Sequence, residues 1–254
     1  MRGKIDCFLL CDNLSTSEDL LQELQRSKTV QHVNLLVTAD FAAETQAPEG
    51  CSQIVVDNVA STQSLKAIAK AAEAEYVLLS IKPTKLELGY YALERMLRVA
   101  ADSDAAMVYS DHFSVANGET TKHPVIDYQW GSLRDDFDFG QLVLIKTDLL
   151  REWAESNPAD YKFAGFYDLR LFLSRKGHLF HIDEFLYTDI ELDTRLSGAK
   201  QFDYVNPRNR EVQVEMEKAA TCHLEAIGAL VDTSKYADPN FDEQHFENEA
   251  SIVI

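Results

Sequence analysis

The sequence contains little positive charge, and this shortage limits what the protein can bind. Among its 254 residues, 24 lysines and arginines stand against 42 aspartates and glutamates, which gives a formal net charge of −18. Such a charge repels nucleic acid backbones and anionic lipid surfaces, so neither is expected as a partner. A compact anionic ligand would need a local basic or metal-filled pocket, because the overall field opposes its approach.

Cysteines and long apolar runs are also scarce. The four cysteines, Cys7, Cys11, Cys51 and Cys222, show no CxxC spacing, and we expect reduced thiols without a disulfide or a structural metal. Neither a signal peptide nor an apolar run of about 18 residues is present, which predicts a soluble, cytoplasmic domain without a membrane span. The lack of repeats and low-complexity segments argues against a solenoid or a disordered tail.

The sequence does contain enough apolar material for a large core. Hydrophobic residues make up 46% of the chain and aromatic residues 10%, which suits one large α/β domain or two small ones. In the first half, short apolar runs alternate with segments of helical spacing, and this predicts a largely parallel sheet with both faces covered. The predicted strands are residues 5–10, 33–37, 53–56, 76–79 and 105–109.

Helix signals separate these strands. Ser17 opens one predicted helix, Ser61 or Thr62 caps a second, and residues 86–99 have the apolar spacing of a third. The second half begins with a polar, turn-rich stretch at 117–138. It continues with a strand at 141–145, a helix from Thr147, a helix at 166–175 ended by Gly177, a strand at 178–182 and a long helix over about 209–231.

Four segments in a fixed order then give the chain a resemblance to a known family. They are AEYVLL at 74–79, LELGYYALERML at 86–97, VYSD at 108–111 and AGFYDLRLFLSRKGHLFHIDEFLYT at 164–188. Together they resemble the family 2 glycosyltransferases, which have the GT-A fold, over roughly residues 5 to 200. The resemblance implies transfer of a sugar from a nucleotide-diphospho-sugar to a glycan or lipid-linked acceptor, as in polysaccharide biosynthesis.

The expected fold is therefore α/β, a single GT-A-like (Rossmann-like) domain. We expect a mostly parallel central sheet flanked by helices, with a C-terminal helical extension, over residues 1–235. Residues 236–254 form an acidic linker that ends in ASIVI. Because ASIVI resembles the opening strand of family 2 domains, this end is expected to begin a second, tandem transferase domain; an edge strand or a disordered apolar tip is the alternative.

Three aspartates follow apolar runs at the expected carboxyl ends of strands, where open α/β sheets bind ligands. In the family, acids at the ends of the first strands bind the base and the ribose. The resemblance therefore implies nucleotide-binding roles for Asp12, Asp40 and Asp57. The alternative is that each aspartate makes an Asx turn or caps the following helix.

The turn after the strand at 76–79 departs from the family pattern. Family 2 enzymes carry Asp-x-Asp there, and its carboxylates hold the Mg²⁺ or Mn²⁺ that bridges the diphosphate. This chain has SIKPT at 80–84 instead. The ammonium of Lys82 can replace the ion as a point charge on the diphosphate. Alternatively, Lys82 is a solvated turn residue and the donor chemistry has been lost.

Arg195 and Lys200 form the best basic cluster for a diphosphate. They lie beyond the Leu-Tyr strand, where relatives place a basic segment over the donor phosphates, so the resemblance implies nucleotide-binding roles for both. Tyr128 and Trp130 offer rings for stacking on a sugar or a base. Aromatic residues in such a loop also serve packing, which is the alternative for both.

Asp111, at the end of VYSD, is a candidate for catalysis and for metal binding. Some relatives have Tyr-Ser-Asp-Glu-Asp at this place, so the chain keeps the first acid and loses the later ones. Together with His112, Asp111 would form a metal pair, although two ligands without a third are poor evidence for a site. A plain aspartate at a strand end is the alternative.

The acceptor base is the second departure from the family. The first Asp of the family's acidic-Asp-Tyr-Asp-Leu helix deprotonates the acceptor, and Phe166 occupies that place here. Asp168 matches the second Asp and would act as the base only if the helix were shifted by about half a turn. Asp136, with Asp135 and Asp138 in the loop RDDFDFG, offers another base or belongs to a solvated acidic turn.

The sequence leaves two functions open. One is an inverting glycosyltransferase, with or without Mg²⁺ or Mn²⁺, that uses Lys82 and Arg195 for the diphosphate and Asp111, Asp136 or Asp168 as its base. The other is a non-catalytic GT-A module that binds a nucleotide or glycan, or positions a catalytic partner domain. The absence of catalysis would explain both the missing Asp-x-Asp and the missing acceptor base. A nucleotidyltransferase of related fold would need a loop after the first strand that is both glycine-rich and basic. The segment CDNLS at 11–15 contains no glycine and no basic residue.

Overall fold

The computed structural model describes residues 4–82, 84–190 and 210–232. In these ranges the chain forms one nine-stranded sheet with helices on both faces. The strands are β1 (Ile5–Leu10), β2 (Val30–Val37), β3 (Cys51–Val55), β4 (Tyr76–Ser80), β5 (Lys85–Leu88), β6 (Met107–Ala116), β7 (Glu119–His123), β8 (Leu142–Lys146) and β9 (Leu179–Ile190). The helices are α1 (Leu14–Arg26), α2 (Ala39–Glu44), α3 (Thr62–Ala71), α4 (Ala92–Ser103), α5 (Thr147–Glu155), α6 (Gly165–Lys176) and α7 (Arg210–Ala226).

The strand order across the sheet is β3-β2-β1-β4-β8-β6-β9-β5, and β7 pairs with β6 outside this path. Strands β1 to β4 are parallel, β8 runs antiparallel between β4 and β6, and β6 and β9 are parallel to each other. Six strands of the described sheet therefore share one direction, and β5, β7 and β8 oppose it. The predicted α/β class with a mostly parallel sheet is confirmed.

Both faces of the sheet are covered because side chains alternate along its strands. On β1, Ile5, Cys7 and Leu9 join one apolar cluster, and Phe8 joins the other. Helices α1 and α4 cover the first face, and α3, α5 and α6 cover the second. The predicted C-terminal helical extension is α7, whose Ala219 packs in a smaller cluster with residues of α6.

Residues 85–88 form strand β5, whereas the sequence predicted a helix from Leu86. Leu86 and Leu88 are two residues apart, which is the strand period, and both pair with β9. At Gly89 a side-chain carbon would lie 2.7 Å from a backbone oxygen of β9, so only glycine lets the chain pass this close. Helix α4 then starts at Ala92, and the predicted start was wrong because tertiary pairing overrides the apolar spacing.

Strand β6 continues past its predicted end and returns as a hairpin. Asn117 (φ 53°) and Gly118 (φ 79°) turn the chain into β7. Two successive positive φ angles suit a two-residue hairpin turn, and Asn-Gly is a preferred sequence for it. The stretch expected to consist of turns thus contains a strand, and Asp111 and His112 lie within β6 rather than after it.

Other element ends agree with the sequence or shift slightly. Helix α1 is capped by Asn13 and begins before Ser17, the predicted opener. Ser61, one of the two predicted caps, caps α3, and Gly177 ends α6 as expected. The cap residues mark the starts of these helices best, because their side chains accept hydrogen bonds from the free N–H groups of the first turn.

A carboxylate of α7 joins this helix to the turn before α6. Glu215 accepts the backbone N–H groups of Lys162, Phe163 and Ala164 at 3.1, 2.7 and 3.1 Å.

Among the described helices, none is long and apolar enough to cross a membrane. Residues 236–254 lie outside the described ranges, so the tandem domain stays a prediction.

A buried aspartate in β1 aligns this strand with both of its neighbours. Asp6 is fully buried. One of its oxygens accepts the N–H groups of Glu73 and Ala74, just before β4, at 2.6 and 2.8 Å. The other oxygen bonds the ring of His32 in β2 at 2.9 Å. These hydrogen bonds offset the cost of burying the carboxylate, so its removal leaves their donors without a partner.

Replacing Asp6 with alanine should lower the free energy of unfolding by about 2–4 kcal/mol, because two backbone N–H groups and an imidazole lose their acceptor. Urea unfolding followed by circular dichroism measures the change. Asp19→Ala is the matched control, since Asp19 is exposed on α1, and it should change stability by no more than about 0.5 kcal/mol. Equal stabilities of the two variants would contradict the role of Asp6.

Candidate functional site

The carboxyl ends of β3, β2, β1 and β4 lie side by side at one edge of the sheet. Asp57, Asp40, Asp12 and Lys82 follow these four strands in that order, so the four residues form a row along the edge. All four are exposed. Ligands of open α/β sheets commonly bind at this edge, and four of the six predicted nucleotide-binding residues lie there; their role stays a prediction.

The helix caps beside the three aspartates come from other side chains. Asn13 caps α1, Thr38 caps α2 and Ser61 caps α3. The alternative capping role, which the sequence left open for the aspartates, is thus filled by their neighbours. Asp40 lies in the first turn of α2, where its negative charge also suits the helix dipole.

The turn after β4 is built by hydroxyl and backbone groups. Ser80 Oγ and the N–H of Thr84 both donate to the carbonyl of Lys82, each at 3.0 Å. In the ranges that the structure describes, no three His, Cys, Asp or Glu side chains stand close enough to hold a metal ion. Because Mg²⁺ and Mn²⁺ prefer carboxylate oxygens, the described residues do not fit the ion that the family resemblance implies.

His112 lies in a buried polar cluster beside this turn. Its side chain stacks on Tyr187, with ring centroids 5.0 Å apart, and on His123 at 4.4 Å. Burial, and then the proximity of His123, lowers the pKa of His112, so its ring is neutral near pH 7. The turn and the cluster are joined through the backbone, because the N–H of Ile81 donates to the carbonyl of Gln141 at 3.0 Å, and the charge of Lys82 also lowers the pKa of His112.

Several polar atoms of this region have no hydrogen-bond partner among the described residues. They are Nδ1 of His112, Oε1 of Gln141, Oδ1 of Asp189 and Oγ1 of Thr84. Gln141 is otherwise well held, since its Nε2 donates to Asp189 at 3.0 Å and its N–H donates to the hydroxyl of Tyr187 at 2.6 Å. Unpartnered buried polar atoms cost about 1–3 kcal/mol each, so a group of them is typical of a functional site.

His123 enters the cluster from β7, opposite His112. Its Nε2 bonds Oδ2 of Asp138 at 2.8 Å, and the other oxygen of Asp138 accepts the N–H of Gly140 at 2.9 Å. Partial burial opposes ionisation of Asp138, but the hydrogen bonds from His123 and Gly140 and the charge of Lys82 hold its pKa below the usual value. Asp138 is therefore an anion that fixes the orientation of the His123 ring.

Asp111 is buried and has partners different from those of His112. Its Oδ1 accepts the N–H of Val125 at 2.9 Å and bonds Nε2 of His181 at 2.8 Å. The other ring nitrogen of His181 bonds Asp127 at 2.8 Å. Successive strand residues point to opposite faces, so the described contacts of Asp111 and His112 do not converge, and the metal pair stays a prediction.

The other two predicted catalytic aspartates are held by neighbouring side chains. Asp168 accepts a hydrogen bond from Nε1 of Trp153 at 2.8 Å, which joins α6 to α5, and burial raises its pKa. Asp136 is exposed and pairs with Arg134, whose hydrogen bond lowers the pKa of Asp136 and makes it a weaker base. These contacts favour structural roles for both residues.

The remaining candidates are two aromatic residues, Tyr128 and Trp130, and two basic residues, Arg195 and Lys200. Arg170 lies over the ring of Tyr128 at 5.5 Å, so Tyr128 belongs to the packing of α6 against its neighbouring loop. Trp130 is 88% exposed and stays available for stacking. Arg195 and Lys200 lie outside the described residues, so their nucleotide-binding roles stay predictions.

Sequence reasoning missed His123, Tyr187 and Gln141 as members of the site. One signal could have found His123. The Asn117-Gly118 pair predicts a two-residue hairpin, and folding the chain back at this point brings His123 opposite His112. Tyr187 and Gln141 carry no comparable local signal, because their place depends on pairing between strands far apart in the chain.

The fold of the described residues is GT-A-like, a mixed α/β sheet flanked by helices. The structure of TarS residues 1–349 from S. aureus matches 91% of this chain and 68% of its own length, at 11% identity and a TM-score of 0.59. The same protein in complex with UDP-GlcNAc matches at 12% identity and a TM-score of 0.58, with 91% of this chain and 69% of that one covered. At such identities the likeness establishes the fold alone.

A more distant match is the bifunctional IspDF of Campylobacter jejuni, at 10% identity and a TM-score of 0.43 over 71% of this chain. The chain spans half the length of IspDF and about two thirds of the TarS fragment. No family model and no curated protein matches the sequence.

The stability of the domain should fall as the pH is lowered from about 6.5, because the unfolded chain then binds protons that the folded state excludes from His112. When folding lowers the pKa of a histidine, the folded state keeps its full stability above the ordinary pKa of histidine. Below that pKa the unfolded chain binds a proton that the folded chain does not, so the free energy of unfolding falls. Urea unfolding between pH 5 and 7.5 measures this slope. His112→Asn, which keeps a polar atom near Nδ1, should make the slope shallower.

His178→Gln is the control, since His178 is exposed, and this variant should keep the parental slope. His223 contributes with the same sign, because burial also lowers its pKa, so the slope in His112→Asn should be reduced rather than abolished. An unchanged slope in His112→Asn would refute the assignment.

Proposed function

We propose that this chain is a glycosyltransferase-like domain that binds a nucleotide-diphospho-sugar along the carboxyl edge of β3, β2, β1 and β4. The supporting observation is the row of Asp57, Asp40, Asp12 and Lys82 at this edge. The aspartates would bind the base and the ribose, and Lys82 would contact the diphosphate. The proposal draws its chemistry from the resemblance to family 2 and its geometry from the sheet.

Lys82 takes the place of a metal ion in this proposal. It follows β4, where the family resemblance expects the metal-binding carboxylates, and its side chain is exposed. A unit positive charge about 4 Å from a phosphate oxygen contributes on the order of 4 kcal/mol before desolvation near a protein surface. This attraction is local, so it opposes the repulsion that the net charge of −18 exerts on a diphosphate.

The wider role follows from the resemblance alone. We propose a glycan or lipid-linked acceptor, a cytoplasmic location and a part in polysaccharide biosynthesis. We also propose that a second, tandem transferase domain begins near residues 250–254. TarS in complex with UDP-GlcNAc makes a uridine nucleotide the first donor to try.

A second function, a non-catalytic module that binds a nucleotide or glycan or positions a catalytic partner, is favoured by one observation. Two of the predicted bases, Asp168 and Asp136, are occupied by Trp153 and Arg134, and Phe166 stands in the place of the family's base. This module would bind the nucleotide at the same edge and show no turnover. Binding and hydrolysis of the donor therefore separate the two functions.

Calorimetric titration with UDP, GDP, dTDP and CMP, with and without Mn²⁺, tests the donor site. We expect one nucleotide to bind without metal, and Lys82→Ala to weaken its affinity about 10- to 100-fold, since a hydrogen bond to a charged group contributes about 1.5–3 kcal/mol. Asp40→Ala should also weaken binding through the loss of the ribose contact.

Lys70→Ala is the matched control for the charge change, because Lys70 is an exposed lysine at the end of α3. It should bind the nucleotide like the parent chain. Metal-dependent binding that ignores Lys82 would refute the role of this lysine, and no binding of any nucleotide would refute the proposed function.

A further inference from the structure

We propose that His123 is the general base that deprotonates the acceptor hydroxyl, and that Asp138 positions it. This inference rests on the proposed function, and it replaces the aspartates that the sequence offered for this step. It assigns a catalytic role to a residue outside the motifs that carry the family resemblance.

The predicted aspartate bases are poorly placed for proton abstraction. The carboxylate of Asp168 is bound by Trp153, and that of Asp136 is paired with Arg134. Asp111 is 1% exposed and holds the loop after β7 through the N–H of Val125. A base must come within about 2.6–3.2 Å of the group whose proton it takes. The protein contacts of these three carboxylates oppose such an approach to a substrate.

His123 combines access with a fixed orientation. Its side chain is 45% exposed, and its Nε2 bonds Oδ2 of Asp138 at 2.8 Å. When Nε2 carries the proton and donates it to Asp138, Nδ1 is the acceptor nitrogen of the neutral ring. A carboxylate that orients an imidazole and stabilises its charged form is the arrangement that general bases require.

The surroundings of the pair keep this orientation. Asp138 accepts the N–H of Gly140, and a side-chain carbon at Gly140 would lie 2.3 Å from the hydroxyl of Tyr187, so the loop can approach β9 only with glycine there. The ring of His112 packs against His123 from β6. The neutral state of His112 avoids repulsion when His123 becomes charged.

The pair also lies next to the proposed diphosphate site. The N–H of Ile81, the residue before Lys82, donates to the carbonyl of Gln141 at 3.0 Å, and Gly140, the residue before Gln141, donates its N–H to Asp138 at 2.9 Å. The charge of Lys82 acts in the direction that lowers the pKa of Asp138. The charged and titratable groups around the stacked His112 and His123 include Asp138, Lys82, Asp189 and Tyr187. A donor whose diphosphate contacts Lys82 would place its sugar near this cluster, where the acceptor must also bind.

The step is a displacement at the anomeric carbon. Nδ1 of neutral His123 takes the proton of the acceptor hydroxyl while the acceptor oxygen forms a bond to the anomeric carbon of the sugar. The bond from that carbon to the diphosphate oxygen breaks, and the nucleoside diphosphate leaves with the electron pair beside Lys82. Asp138 stabilises the imidazolium, which then returns its proton to water.

The test uses the whole chain with UDP-, GDP- and dTDP-sugars, with water as acceptor, and measures the release of nucleoside diphosphate beside calorimetric binding. His123→Ala should lower the rate about 10²- to 10⁴-fold, the usual contribution of a general base, with unchanged nucleotide affinity. Added imidazole should restore part of this rate, which a purely structural role of His123 would not allow. His178→Gln is the control and should keep the parental rate.

Asp138→Asn tests the positioning role. It should lower the rate less than His123→Ala and shift the acid limb of the pH–rate profile, because the amide cannot stabilise the imidazolium. Parental rates in His123→Ala, or no rescue by imidazole, would overturn the inference and leave the proposed donor site intact. Nucleotide binding without turnover in the parent chain would also overturn it, whereas no nucleotide binding at all would refute the proposed function itself.

Discussion

The break in register between β6 and β9 sets which residues of β9 stand opposite Asp111 and His112. The two strands pair regularly from Met107 to Ser110, and the register then shifts on both sides of Asp111. Extra residues in one strand of a pair bend it and increase its twist. Asp111 pairs with Phe185 and bonds the ring of His181, whereas His112 pairs with Tyr187 beyond the break.

Tyr187 connects β6 with the loop before β8. Its hydroxyl accepts the N–H of Gln141, and its ring stacks parallel to His112 at an interplanar angle of 3°. A single buried side chain of β9 thus holds the loop of Asp138 against β6. Such a network is rigid only while each of its members keeps its partners, because an unpaired group in a low-dielectric interior is costly.

The sequence predicts the first half of the fold well because local signals agree there. The strand at 5–10 and the cap at Ser61 are both where the pattern places them. The base was less predictable, because whether Asp168 is free or bound depends on Trp153 in another helix. Strand β5 was mistaken for a helix since Leu86 and Leu88 also fit the apolar spacing of the helix that follows.

Strand β8 has a consequence for the order in which this chain can fold. It lies between β4 and β6, yet both neighbours precede it in the sequence. Until synthesis passes residue 146, β4 and β6 both lack the strand that joins them, and unpaired strand edges are sites of aggregation. A chaperone that shields these edges would help most in this interval, and the solubility of fragments ending at residues 140 and 160 would show whether β8 covers them.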